Sequence, residues 1–255
     1  MPDRTALDQA CSAALRRWQT PWSEFASGRD PRSSDNALLV LTYGGLVHAA
    51  QHEWLNAGRR LIDKTYIDIL WHVQHLTALR TCRPEQIAAA LDNFIRDQIA
   101  PLWDGLEDRN APQKAELARR WVAEMAQQCC GSLLSEPAAS RLLFFLCPML
   151  PLYNFSRGHL LALELLGHPV RGDDYHAYAA AADRAYCEMS GALYTLPRPT
   201  PLFGDAAQRR LIQQMLDDGD WWQRRVFDAL LQQTAQTAGI GQGMFGCDDA
   251  GQLLP

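Results

Sequence analysis

The chain predicts an all-α fold: a compact multi-helix domain of about nine or ten helices with no sheet. Three observations point there. Apolar residues recur at helical spacing in almost every segment. Residues that start helices (Ser, Asp, Asn, Pro) and a Gly-then-Pro stop separate those segments. No alternating apolar–polar stretch of strand length occurs. With 255 residues, 47% of them apolar, the chain can bury a substantial core. No fixed period repeats, which argues against a solenoid. The expected organisation is one helical domain over 1–255, or two helical lobes over 1–130 and 131–238, with a flexible Gly-rich tail over 239–255.

Taken in order, Asp35 or Asn36 is placed to cap a helix beginning ALLVLTYGGLVHAAQHEWL, apolar nearly all round and therefore central. Gly44 and Gly45 within it suggest a site where a neighbouring helix comes close. After Gly58 the chain continues as RRLIDKTYIDILWHVQHLTAL. Pro84 then starts a helix with Ile87, Leu91, Phe94 and Ile95 on one face. Asn110 and Pro112 open the next, marked by Leu117, Trp121 and Met125. Ser135 and Pro137 open the helix carrying SRLLFFLC, which Pro148 and Pro151 must end because neither donates a backbone hydrogen bond. Asn154 or Ser156 caps GHLLALELL, which stops at Gly167-His168-Pro169. Asp173 starts a helix through Met189. LPRPTPLFG reads as an extended connector, and Asp205 and Asp220 are placed to cap the last two helices. The tail contains Gly241-x-Gly243-x-x-Gly246, but a dinucleotide fingerprint requires a strand before it and a helix after it, so a tail is expected instead.

Composition narrows the function classes. The net charge of −5 argues against a protein whose whole surface tracks nucleic acid, although a local basic patch remains compatible with it. The basic residues are 22 Arg and 2 Lys (Lys64 and Lys114), a bias expected of a GC-rich bacterial genome. The seven cysteines are odd in number and form no C-x-x-C, the pattern of reduced, buried thiols in a cytoplasmic protein. The N-terminus has early acidic residues and no apolar core segment, unlike a signal peptide. No apolar run reaches membrane-spanning length.

Three places could hold chemistry. Asp68, His72 and His75 share one helical stripe, and His48 and His52 lie four apart on the preceding helix. Facing each other in a helical hairpin, they would suit zinc or non-haem iron. The spacing is not H-E-x-x-H, since Glu53 follows the second His. The second place is the corner Tyr153, Asn154, Ser156 and Arg157, just before a helix N-terminus. Free N–H groups and an arginine fork there would favour an anion. The third is DDGDWWQRRVFD, where Trp221, Arg224 and Arg225 have the composition of an interface hot spot or base-stacking platform. Trp221 with Arg225, and Arg224 with Asp228, stand four apart and are spaced to interact.

Ala139-Ser140-Arg141, an apolar helix, Pro148, then Pro151-x-Tyr153-Asn154 resembles part of the helix-hairpin-helix DNA glycosylase superfamily, over about 35 residues from Cys130 to Glu164. The resemblance implies a helical fold and, at position 154, a catalytic carboxylate. This chain has an amide there, and the family's glycine-rich hairpin is reduced to Gly131. An amide cannot act as a general base. The resemblance therefore implies a helical fold able to bind a partner or DNA, without base-excision chemistry through Asn154.

Two functions are expected from these residues. The first is a non-catalytic helical bacterial protein that binds a protein or nucleic acid through Arg/Trp surfaces and the Tyr153–Arg157 corner, as in an accessory protein of a mobile-element or defence locus. The alternative is a metal-dependent enzyme built on the histidine cluster.

Overall fold

The computed structural model describes residues 2–19, 34–51, 62, 83–130 and 135–239. Among them the regular elements are helical and no strand occurs. Helix α1 spans Arg4–Gln19. A second helical run consists of α2 (Asp35–Leu39), a π-helical turn (Val40–Gly44) and α3 (Gly45–Gln51). Next come α4 (Pro84–Phe94), a π turn (Ile95–Ile99) and a 3₁₀ turn (Ala100–Gly105). The chain continues as α5 (Ala111–Cys130), α6 (Glu136–Leu146), α7 (Arg157–Leu165), α8 (Tyr175–Leu193), α9 (Ala206–Asp218) and α10 (Trp221–Thr237).

Local chemistry explains most of the boundaries. Asn110 and Gln113 cap α5 reciprocally, Oδ1 accepting from Gln113 N at 3.0 Å and Oε1 accepting from Asn110 N at 3.2 Å. Asp205 and Gln208 do the same for α9. At the end of α7 the His168 N–H bonds Leu163 O and the Gly167 N–H bonds Glu164 O, a Schellman ending that needs the left-handed Gly167 (φ 85°).

Three expected caps are corrected. Ser34, not Asp35 or Asn36, caps α2, its Oγ accepting from Ala37 N at 3.2 Å. Asp35 and Asn36 are drawn into tertiary bonds instead. Asp174, one residue beyond the expected Asp173, caps α8. Asp220 sits at the start of α10 but makes no cap bond, because Arg224 holds its carboxylate. The expected close approach at Gly44 and Gly45 is also absent among the described residues. A Cβ at Gly45 would meet nothing within 4 Å, and one at Gly44 only Leu39 O at 3.7 Å.

The core is one contiguous apolar cluster running from Leu7 to Ala235. At its centre Trp18 lies between Trp221 and Trp222, with ring centroids 6.2 and 6.1 Å away, and Trp221 stacks obliquely on Phe144 at 5.1 Å. All three indoles are fully buried. Each contributes on the order of 4–6 kcal/mol of apolar burial before ordering entropy is subtracted. Their N–H groups are satisfied by carbonyls of non-helical or helix-end backbone: Trp18 by Thr200, Trp222 by Pro197, Trp221 by Phe144. Two of these bonds, with Asn36 Oδ1 accepting from Leu202 N and Phe203 N, strap the extended 197–203 connector to the core.

The segment between α6 and α7 is buried yet irregular. Side chains of distant residues satisfy its backbone. Pro148 O accepts from Arg224, and Tyr153 N donates to Tyr175 Oη. Asn154 O accepts from Tyr178 Oη, and Phe155 N donates to Ser140 Oγ. The Pro-x-x-Pro interruption is therefore a structural crossover in which side chains from α6, α8 and α10 satisfy buried backbone groups.

Candidate functional site

Two constellations combine polar side chains in a way that chemistry could use. The first is a buried relay. Ser156 caps α7, and its Oγ lies 2.7 Å from Nδ1 of His159, one turn on. His159 Nε2 lies 2.8 Å from Asp228 Oδ1 on α10. The other Asp228 oxygen accepts from Arg225 at 2.5 Å and from Gln232 at 3.0 Å. Arg225 Nε donates to Asp35 at 2.7 Å, and Arg17 on α1 donates to Gln232 at 2.9 Å. With Nε2 protonated and donating to the carboxylate, Nδ1 is left to accept the Ser156 hydroxyl proton, so every hydrogen has a place.

Burial pushes the His159 pKa down, and hydrogen bonding to Asp228 offsets this only in part, so the ring is neutral. Burial also disfavours the Asp228 carboxylate, but Arg225 and His159 outweigh it and hold the pKa well below the ordinary value. Arg225 likewise keeps its charge against burial because two carboxylates, Asp35 and Asp228, face it.

The residue types are those of a hydrolase triad, but the setting is not. His159 is 0% exposed and Ser156 2% exposed. The Ser156 Oγ also accepts from the His159 backbone N–H at 3.4 Å as a cap. Neither the cleft described below nor the shallow hollow between α1 and α10 is lined by Ser156, His159 or Asp228. With all three side chains buried, the relay acts as a polar strut between α7, α10 and α2.

The second constellation is an open cleft of about 740 Å³ where the π turn, the 3₁₀ turn, the start of α5, the crossover and α9 converge. Tyr43 and Trp103 form one wall, their ring centroids 6.3 Å apart. Four carboxylates line the cleft (Asp104, Glu107, Asp218, Asp220) against two cations (Lys114, Arg224). Both cations are engaged. Lys114 Nζ donates to Glu107 O at 3.0 Å, while Arg224 is held between Asp220 and Pro148 O. Burial, reinforced by the Glu107 charge, pushes the Tyr43 phenol up to about 12.

No protein-family model, curated protein or solved structure matches this chain.

The residues singled out in the sequence are distributed as follows. Trp221, Arg224 and Arg225 were expected at the surface. They are 0, 2 and 2% exposed, a correction with a clear cause: α10 is enclosed over most of its length, and its charges are neutralised internally. Arg225 pairs with Asp228 rather than stacking on Trp221, and Arg224 pairs with Asp220 rather than Asp228. Tyr153, Asn154 and Ser156 are buried, and Arg157 alone of that corner is exposed. Ser156 is occupied by His159, and Tyr153 Oη donates to Asp183 at 3.0 Å. The corner is thus filled by its own side chains. His48 is exposed on α3, while His52, Asp68, His72 and His75 lie outside the described residues.

Sequence reasoning missed both the relay and the cleft. The Ser156-x-x-His159 spacing was visible as a cap and a residue one turn later. Nothing local connected it to Asp228. The cleft draws on five separate segments and had no sequence signal beyond the aromatic and acidic character of LWDGLED.

Proposed function

We propose that the protein is a non-catalytic helical module that binds a protein partner, with the Tyr43–Trp103 cleft as its seat. One observation carries this reading: the constellation closest to a catalytic one is buried in the core, while the cleft brings the half-buried Trp103 and the exposed Tyr194 together with exposed carboxylates. Accessible aromatics surrounded by polar groups are the composition of a recognition surface. The excess of carboxylates disfavours a phosphate backbone as the occupant. Asn154 adds support. It stands where the helix-hairpin-helix glycosylases place a carboxylate, and here it is a buried amide, 7% exposed, whose main-chain carbonyl accepts from Tyr178 Oη. The proposed kinship with that superfamily is one of scaffold, without base-excision chemistry.

The test places a photo-crosslinking residue at Gln214, which is exposed and lines the cleft, and separately at Arg184 on the outer face of α8. Irradiation in the source cells is expected to give a discrete protein adduct from position 214 and none from 184. Equal labelling from both positions overturns the reading. So does salt-sensitive retardation of DNA or RNA by the purified protein.

A further inference from the structure

We infer that the cleft is built for a basic segment of the partner, holding a guanidinium or ammonium group between the Tyr43–Trp103 wall and the carboxylates of Asp104, Glu107 and Asp218. This rests on the reading of the cleft as the partner's seat and specifies the chemistry of what enters it.

Charge complementarity is the first argument. Asp104, Glu107 and Asp218 are exposed, and none forms an ion pair with a described residue. Of the cations that share the cleft, Arg224 is neutralised by Asp220, while Lys114 donates to a main-chain carbonyl and keeps its charge, one ammonium against three carboxylates. An anionic ligand entering here would meet three unneutralised carboxylates against the one ammonium of Lys114. A cationic one would find those three carboxylates free to pair with it.

The aromatic wall is the second argument and is independent of the first. Trp103 is half-buried and its ring stands beside that of the buried Tyr43, so an indole and a phenol share one side of the cleft. Aromatic rings attract a cation seated over their faces, and arginine most often. The phenol also reports the local field, since the Glu107 charge helps resist formation of a phenolate.

Shape favours a peptide over a small amine. The cleft is open along its rim, where Tyr194 is 48% exposed and Met149 and Met215 supply adaptable apolar contact. A side chain can enter while the chain that carries it lies across the rim.

The experiment is calorimetric titration of the full chain with a short peptide of alternating arginine and glycine. Controls are the same peptide with glutamate in place of arginine, and spermidine alone. The arginine peptide is expected to bind, more weakly at high salt, and the glutamate peptide not to bind. The variant carrying Asp104→Asn, Glu107→Gln and Asp218→Asn is expected to lose about tenfold in affinity. Trp103→Leu, which retains apolar volume, is expected to lose a further fewfold.

Equal or tighter binding of the glutamate peptide overturns the inference, as does an unchanged affinity in the triple variant. Spermidine that binds as tightly as the peptide and displaces it completely makes the site one for small polyamines and overturns it too. If the peptide fails to bind while position 214 still gives its adduct, the cationic occupant is wrong and the partner-binding reading stands. If both fail, both fall.

Discussion

Arg225 is the residue on which the interior electrostatics turn. It is a cation 2% exposed, balanced by Asp35 and Asp228, each no more than 4% exposed at the side chain. Replacing it with methionine leaves two buried carboxylates without the cation that both of them bind. The expected loss is about 3–5 kcal/mol, read from urea unfolding. His159 makes a separate prediction about pH. Its folded pKa is depressed, so the unfolded chain takes up the proton near pH ~6.5 while the folded one does not. Stability is therefore fully present above that value and declines as pH falls below it. Asp228, whose pKa is also depressed, contributes stability that persists above its unfolded value and is lost only in stronger acid. Acid weakening is thus expected to start at the imidazole. In His159→Gln the fall in unfolding free energy between about pH 7 and about pH 5 should shrink by the share of that one proton. An unchanged slope would show that the relay does not set it.

Helix ends and helix glycines carry the predictions at the next scale. Gly45 has helical φ of −64°, and an added Cβ would meet nothing within 4 Å. Gly45→Ala should therefore raise stability by about 0.5–1 kcal/mol, by removing unfolded-state freedom. Gly204 is the opposite case. Its φ is +91°, and a Cβ would lie 2.9 Å from Gln208, the residue that completes the cap of α9. Gly204→Ala should destabilise by about 1 kcal/mol or more, and a thermal melt distinguishes the two signs. Much at this scale was legible in the sequence, because a cap at Asn110, Asp205 or Ser156 and a stop at Gly167 are decided within a few residues. Where the reading went wrong, a distant partner had intervened. Three consecutive polar residues, Ser34, Asp35 and Asn36, compete for one cap. Asp35 is removed from that competition by Arg225, 190 positions away, and Asn36 by the connector, 166 positions away. The same distance effect hid the character of α10. Arginines beside tryptophans read as a surface when their partners lie on other helices, and the relay and the cleft were illegible for that reason.

On the scale of the molecule, the first helix and the last hold each other. Trp18 packs between Trp221 and Trp222, and Arg17 reaches Gln232 across 215 positions. Residues 1–130 expressed alone lack every one of these partners. That fragment is expected to show helical circular dichroism without a cooperative unfolding transition, whereas a sharp transition would mean the first half closes a core of its own. The crossover between α6 and α7 has a further consequence. Amide hydrogens outside regular helices ordinarily trade with solvent deuterium within moments, but those of Tyr153 and Phe155 are clasped by a phenol and a serine hydroxyl in the dry interior. They should retain their protons as long as the surrounding helices do. A mass-resolved exchange map would then place one of the slowest-labelling stretches of the protein in a segment with no repeating backbone geometry at all.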